Sequence, residues 1–123
     1  MSPATFDVVR EELEGGIQVF AVRGELDMHT APELERPLEE AVAEPDALVL
    51  LDLSSCEFID STGIALLVRA WQRLDRHAGG EGTGRLVLCT NNHQVQRLLK
   101  ITGVETSISM HEQRDAAVAE LRN

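Results

Sequence analysis

The chain has 123 residues, enough for one domain that buries its own core, and 43% of them are hydrophobic. Its 21 acidic and 11 basic residues give a net charge of −10, which disfavours nucleic acid and anionic membrane surfaces as partners. The charge suits either plain solubility or a partner with a basic face. No apolar run approaches the roughly 20 residues of a spanning helix, and no basic leader opens the chain, so we expect a cytoplasmic protein.

The chain begins with two predicted strands. Thr5–Glu11 and Gly16–Arg23 are typical of strands, and the turn between them at residues 14–16 predicts a hairpin. Gly24 is expected to break the second strand.

A helix is predicted next. Thr30 and Glu33 have the spacing of a capping box, and the apolar positions that follow predict a helix to about Ala43. Pro37 deletes one backbone hydrogen bond inside this helix, so we expect a kink or a shortened helix.

The middle of the chain predicts a buried strand and a long helix. Ala47–Leu53 is a continuous apolar run, typical of a strand covered on both faces of a parallel sheet. After Asp60, apolar residues recur at helical spacing: Ile64, Leu67, Val68, Trp71 and Leu74. Trp71 belongs to this stripe and is expected to pack against the sheet. The Gly-rich stretch 78–84 predicts a flexible loop.

The last third predicts two more strands and two more helices. Arg85–Thr90 is a second buried strand, and Asn92 can cap a helix that Gly103 closes. A short strand at Ser107–Met110 and a helix at Glu112–Arg122 complete the chain. The order β-β-α-β-α-β-α-β-α predicts an α/β fold with a mixed, mostly parallel five-stranded sheet and the hairpin at or near an edge.

The cysteines and histidines predict neither a disulfide nor a metal site. Cys56 and Cys89 lie in apolar surroundings without metal-binding spacing, so we expect small buried side chains that stay reduced. The histidines, at positions 29, 77, 93 and 111, lack the spacing of a metal site.

The segment 52–64 is the best candidate for a functional site. It leaves the carboxyl end of a buried strand and enters a helix, at the edge where α/β sheets usually meet ligands and partners. Asp60 suits an N-cap, which places Ser61 and Thr62 in the first turn, where backbone N–H groups are free and the helix dipole is positive. A phosphate on Ser61 would be compatible with this position. The same residues could also only cap the helix, and their spacing leaves both interpretations open.

Three motifs resemble the STAS domain family and, more closely, the anti-sigma factor antagonists of bacteria. They are Gly24–Asp27 with Thr30–Leu34, the segment Asp52–Ile64 (DLSSCEFIDSTGI), and Leu98–Val104 (LLKITGV). The resemblance covers nearly the whole chain and implies a single STAS domain over residues 1–123, with about 5–122 ordered. Pro37 and the Gly-rich stretch 79–84 depart from the family pattern.

The resemblance implies a switch in partner binding. In such proteins an anti-sigma factor that is also a serine kinase phosphorylates the serine after the aspartate, which here is Ser61. The unmodified form would bind the anti-sigma factor and free a sigma factor, phosphorylation would end binding, and a serine phosphatase would restore it. The expected contact residues are Asp27, Thr30, Asp60, Ser61, Thr62 and Gly63. The kinase supplies the chemistry, so we expect this chain to be no enzyme and to have no cofactor. We also expect a monomer or weak dimer.

Other functions stay open at this point. The fold could serve as a non-switching scaffold in a signalling assembly or as a subunit of a lipid-transport complex, although the intact Asp60-Ser61 pair favours the switch. Ser61 could be a hydrolase nucleophile with His29 or His93 nearby, but its surroundings are not a G-x-S-x-G elbow. Nucleotide binding is a minor hypothesis, since the chain has neither a P-loop nor a G-x-G-x-x-G motif.

Overall fold

The computed structural model describes residues 5–80 and 82–123, which form an α/β domain with a five-stranded sheet. In chain order the elements are β1 (Asp7–Leu13), β2 (Ile17–Leu26), α1 (Ala31–Val42), β3 (Leu48–Ile59), α2 (Ser61–Ala78), β4 (Arg85–Cys89), α3 (His93–Ile101), a 3₁₀ turn (Val104–Thr106), β5 (Met110–His111) and α4 (Arg114–Leu121). This is the predicted order. The predicted domain also includes residues 1–4, and the predicted loop 78–84 includes Glu81; both lie outside the described residues.

The strands follow one another across the sheet in the same order as along the chain. β1 pairs antiparallel with β2, whereas β2 to β5 pair in parallel. This confirms the predicted mixed, mostly parallel sheet with the hairpin at an edge. The carboxyl ends of the parallel strands therefore gather at one edge of the sheet.

Helices cover both faces of the sheet. The main core lies on the face covered by α1, α2 and α3, and α4 packs on the opposite face. Alternate residues of β3 serve the two sides, because successive side chains of a strand point to opposite faces. Leu51 belongs to the main core, and Leu50 packs in the cluster with Ala117 and Leu121 of α4.

β3 is longer than the sequence predicted. The apolar run ends at Leu53, yet the strand continues to Ile59. Ser54 and Ser55 interrupt the apolar pattern, but pairing with β2 carries the strand past them. The buried residues Cys56 and Ile59 anchor the extension in the main core.

β2 also continues past its predicted end. Gly24 was expected to break the strand, but the strand runs on to Leu26, and its register against β3 shifts twice between residues 21 and 25. Gly24 has a φ of +95°, and a Cβ there would lie 2.6 Å from the carbonyl oxygen of Thr5. Gly24 thus lies at an irregularity of β2 where the chain leading into β1 passes close beside it, and the strand does not break there.

The predicted limits of α1 and α3 are close to the observed ones. α1 ends at Val42 and runs through Pro37 over 12 residues, so the helix is not shortened. The side chain of Asn92 caps α3 as predicted, accepting from the Gln94 and Val95 N–H groups at 2.9 and 3.3 Å. Gly103, with a φ of +79°, follows the end of α3.

The predictions for the last strand and helix were partly wrong. The segment expected to form a strand from Ser107 instead follows the 3₁₀ turn, and β5 has only two residues, paired with Leu88 and Cys89. Ile108 is buried in the main core, and the N–H of Leu88 donates to the carbonyl oxygen of Ser109 over 2.9 Å just before β5 begins. α4 spans Arg114–Leu121, shorter at both ends than the predicted helix.

Three other expectations can be compared with the structure. Cys56 and Cys89 are buried and free, as predicted, and burial raises the pKa of the Cys89 thiol to about 12. Trp71 packs half-buried against the main core, which confirms its predicted place. Among the helices in residues 5–80 and 82–123, none combines the length and apolar character needed to cross a membrane.

Candidate functional site

The predicted site residues lie where β2 and β3 end side by side. The pairing of these strands continues to Leu26 opposite Ile59. One residue further, the N–H of Asp60 donates to the carbonyl oxygen of Leu26 over 3.1 Å. The loop that starts at Asp27 therefore leaves the sheet beside the turn that carries Ser61.

Asp60 caps α2 as the sequence predicted. Its backbone is extended, and its Oδ1 accepts a hydrogen bond from the N–H of Gly63 over 3.0 Å. Ser61, the first helical residue, has an exposed side chain, whereas Thr62 is half-buried. The Ser61 hydroxyl is therefore the more accessible of the two to a modifying enzyme, and it stands at the positive end of the helix dipole.

Gly63 allows the first turn of α2 to lie directly against both strand ends. A Cβ at this position would be 2.8 Å from Cγ1 of Ile59 and 2.8 Å from the carbonyl oxygen of Leu26. Neither neighbour can move freely, because both belong to paired strands. Gly63 thus sets the position of the Ser61 turn through close packing.

Gly63→Ala is expected to destabilise the protein by about 1 kcal/mol, because an overpacking cost of about 1–3 kcal/mol exceeds the gain of up to about 1 kcal/mol in helix propensity. Urea unfolding followed by circular dichroism measures the difference. Gly79→Ala, at the other end of α2, is the matched control, since its Cβ would meet only the Arg76 carbonyl oxygen at 3.4 Å. Equal stability of the two variants would contradict the close-packing role.

The Asp27 carboxylate organises the neighbouring loop. Its Oδ1 accepts hydrogen bonds from the N–H groups of His29 and Thr30 at 2.9 and 3.1 Å. The Thr30 N–H, followed by that of His29, holds the pKa of Asp27 below its usual value despite some opposing desolvation. The loop beside Ser61 therefore carries an ionised carboxylate in a defined geometry.

Thr30 closes this loop and does not form the predicted capping box with Glu33. Its hydroxyl donates to the carbonyl oxygen of Glu25 over 2.7 Å and accepts from the N–H of Asp27 over 2.9 Å. The capping box was wrong because these loop partners take the hydroxyl that would otherwise cap α1. Thr30 remains on the surface next to the candidate site, half-buried.

Asp52, which opens the same sequence motif as Ser61, serves a different part of the fold. It is buried, and its Oδ2 accepts from Nε of Arg114 in α4 over 3.0 Å. α4 lies on the face of the sheet opposite α2. The motif Asp52–Ile64 therefore contains two aspartates with different roles. Asp52 pairs with Arg114 of α4, and Asp60 caps α2.

An open apolar groove begins at Ser61, and the sequence analysis missed it. The groove has a volume of about 550 Å³ and is lined on one side by Phe58, Ile59, Asp60, Ser61, Ile64, Ala65, Val68 and Arg69. Leu98 of α3 and Thr102, the residue after α3, line the other side. Val68 belongs to the apolar stripe predicted for α2, and Leu98 belongs to the third family motif. Their half-burial reflects the gap between the two helices, which the sequence pattern of a single helix does not reveal.

The described residues offer little to the metal and hydrolase hypotheses. Within residues 5–80 and 82–123, no group of three or more His, Cys, Asp or Glu side chains is placed to hold a metal ion. The candidate bases His29 and His93 both have exposed side chains.

The comparisons with known proteins agree with the fold and the motifs. The STAS domain family matches residues 9–117. The chain is 25% identical to an anti-sigma F factor antagonist of Paenibacillus polymyxa over 114 residues, covering 92% of this chain and 93% of the relative. It is 29% identical to an anti-sigma-B factor antagonist of Listeria monocytogenes over 102 residues, covering 83% and 84%.

A solved structure shows the same likeness over almost the full length. The crystal structure of an anti-sigma factor antagonist from Mycobacterium paratuberculosis superposes with a TM-score of 0.85 and 28% sequence identity, covering 99% of this chain and 98% of that one. The family match spans most of the chain, and the fold and the site motifs agree with it. This protein therefore belongs to the STAS domain family.

Proposed function

We propose that this chain is an anti-sigma factor antagonist that a serine kinase switches off at Ser61. The unmodified form binds an anti-sigma factor and so frees a sigma factor. The observation that carries the proposal is the exposed Ser61 hydroxyl at the start of α2, between the Asp27 loop and an apolar groove. Relatives with this function that align along most of their length support it.

The structure is suited to accept phosphate without unfolding. The Ser61 oxygen would attack the γ-phosphorus of ATP, the bond to the ADP oxygen would break, and the kinase would take the hydroxyl proton. The kinase also supplies Mg²⁺, so no cofactor or catalytic residue is needed in this chain. The new group of about −1.5 to −2 charges would face free backbone N–H groups and the positive end of α2. A serine phosphatase would remove the group by hydrolysis: water attacks the phosphorus, the bond to the Ser61 oxygen breaks, and inorganic phosphate leaves.

The partner surface proposed here combines two neighbouring segments. Asp60, Ser61, Thr62 and Gly63 form the turn, and Asp27 and Thr30 form the adjoining loop. Hydrogen bonds of the loop and the close packing of Gly63 hold both segments in place before binding, which lowers the entropy cost of docking. These partners act where ATP and sigma factors are found, so the proposal places the protein in the cytoplasm.

Ser61→Ala should abolish phosphate incorporation while leaving kinase binding within about twofold of wild type, since it removes one exposed hydroxyl. The assay mixes the chain with the anti-sigma factor kinase and labelled ATP, and mass spectrometry maps the modified residue. Thr62→Ala is the matched control and should be labelled like the wild type. Labelling of Ser61→Ala as strong as that of wild type would disprove the site. Partner binding without any labelling would instead favour a non-switching scaffold.

A further inference from the structure

The strand β1 is an exposed edge of the sheet and is long enough to pair with a further strand. It stands at one end of the strand order, and within residues 5–80 and 82–123 it pairs with β2 alone. Its seven residues, Asp7–Leu13, present backbone N–H and C=O groups on the outer side, and such an edge is a template for another strand. The opposite edge, β5, has only two residues. β1 is therefore the edge at which another chain would add.

The side chains of β1 divide between the two faces of the sheet. Glu11 reaches Arg114 of α4, so the odd-numbered residues lie on the α4 face, where Val9 is 47% exposed. The even-numbered residues lie on the other face, where the guanidinium carbon of Arg10 stands 5.1 Å from the centre of the Phe20 ring. A strand added to this edge would meet charged and apolar side chains on both faces.

A second copy of β1 fits this edge in one antiparallel register. In a two-fold pair, directly opposite residues share a face, so the axis passes through one residue position. An axis at Glu11 places Arg10 of each copy opposite Glu12 of the other, and Val9 opposite Leu13. These cross-strand pairs join opposite charges or two apolar side chains, and both kinds are favourable. Moving the axis by one residue places Arg10 opposite Arg10 or Glu12 opposite Glu12, so the charges select one register.

The selected register brings the two Glu11 side chains face to face, which requires a counter-charge. Each Glu11 already has one, because its Oε1 lies 2.7 Å from Nη1 of Arg114 in the same chain. Like charges directly opposite on neighbouring strands destabilise the pairing, and a guanidinium beside each carboxylate offsets this effect. The contact with Phe20 also holds the Arg10 side chain in place before pairing.

We propose that this protein forms a weak homodimer through antiparallel pairing of two β1 strands about Glu11, which joins two five-stranded sheets into one. Charged residues on an edge strand usually discourage pairing, but here they are complementary to those of a second copy in one register. The short edge predicts an interface at the small end of the range for specific complexes. We therefore expect a Kd of about 100 μM.

Dimerisation at β1 would leave the Ser61 turn open. Glu11 pairs with Val19 in the first half of β2, whereas the Ser61 turn lies beside Leu26 at the end of that strand. The separation along the strand is about 20 Å. Two copies related about Glu11 therefore carry their Ser61 turns toward opposite ends of the joined sheet. The inference is independent of the proposed function, and the kinase should label both copies.

An exchange of charges across the pair tests the register. Arg10→Glu and Glu12→Arg each place like charges opposite one another on both sides of the axis and should weaken dimerisation at least about tenfold. The double variant restores opposite charges and should return the Kd to within about threefold of wild type. Arg97→Glu, at an exposed arginine of α3, is the matched control. Sedimentation equilibrium between about 10 μM and 1 mM protein, in about 150 mM salt, measures the affinities.

Two results would overturn the inference. One is a wild-type chain that stays monomeric at about 1 mM, and the other is a dimer that the single variants weaken no more than Arg97→Glu does. Circular dichroism checks that each variant folds. If Arg10→Glu, which also loses the contact with Phe20, fails to fold, Glu12→Arg alone carries the test.

Amide hydrogen exchange locates the contact independently of any variant. Exchange at β1 should be slower in concentrated than in dilute protein, because pairing protects the outer N–H groups, while exchange in α3 should stay the same. Protection that appears at α3 and not at β1 would mean that a different surface joins the copies, and the inference would fail. Labelling of Ser61 in wild type and in both single variants tests the proposed function separately.

Discussion

Phosphorylation of Ser61 is expected to weaken binding of the partner kinase by about a hundredfold, equivalent to about 2.7 kcal/mol. In the docked complex the phosphate would stand close to the phosphates of the nucleotide that the kinase holds. It would also lie beside Asp60 and lose water against the apolar groove. Like charges brought together at an interface cost several kcal/mol, which exceeds what the helix dipole returns.

Affinities of the unmodified chain and of the purified phosphoprotein for the kinase measure this effect, with and without bound ADP. The loss should be larger with ADP, because part of the repulsion comes from its phosphates. Ser61→Asp adds only one charge and should weaken binding about tenfold. Treatment with a serine phosphatase should restore the original affinity. Equal affinities of the two forms would remove the switch from the proposed function.

Arg114→Leu is expected to lower the free energy of unfolding by roughly 2–3 kcal/mol, somewhat less than for a fully buried ion pair. Arg114 joins α4 to two strands: its Nη2 lies 2.8 Å from Oδ2 of Asp52, and its Nη1 lies 2.7 Å from Oε1 of Glu11. The side chain of Asp52 is 12% exposed, so removing the guanidinium would leave a largely buried carboxylate without its counter-charge.

The pH dependence of the Arg114→Leu effect follows from Asp52. Burial alone would raise the pKa of Asp52, but hydrogen bonds from Ser54 and then from Arg114 outweigh it and hold the pKa below the usual 3.8. A lowered pKa in the folded state stabilises the protein above that usual value and loses its effect as the pH falls further. The stability difference between wild type and Arg114→Leu should therefore be largest near neutral pH and shrink below about pH 4.

Urea unfolding at pH 7 and pH 3 measures both quantities. Asp52→Asn combined with Arg114→Leu is the matched variant, and it should be more stable at neutral pH than Arg114→Leu alone, because no buried charge remains. Arg122→Leu, at the exposed end of α4, serves as a surface control. A difference that stays constant between the two pH values would show that Arg114 acts through packing alone.

Several elements of the site could be predicted because their causes are local. Asp60 accepts from a backbone N–H three residues away, so the cap of α2 is visible in the sequence as a residue type at a fixed distance. The cap of α3 by Asn92 is equally local. The placement of Ser61 in the first turn of a helix follows from the same cap.

Other local patterns were misleading where a competing partner outside the pattern took the residue. Thr30 and Glu33 had the right spacing for a capping box, but the hydroxyl of Thr30 bonds to the carbonyl oxygen of Glu25 instead. Gly24 had the character of a strand breaker, but pairing with β3 carried the strand past it. In both cases the local structure depends on a hydrogen bond that the spacing of the residues in the pattern does not predict.

The sequence by itself determined the alternation of strands and helices, the mainly parallel sheet and the serine at the start of α2, since periodicity, capping and the resemblance in the motifs are all read along the chain. Only the tertiary structure decided which face of the sheet α4 covers. It also decided that Asp52 pairs with Arg114 and that a groove lies between α2 and α3 beside Ser61. These features depend on contacts between residues far apart in sequence; Asp52 and Arg114, for example, are separated by 62 positions. The packing of whole elements against one another creates such contacts, and the pattern within any one element does not specify them.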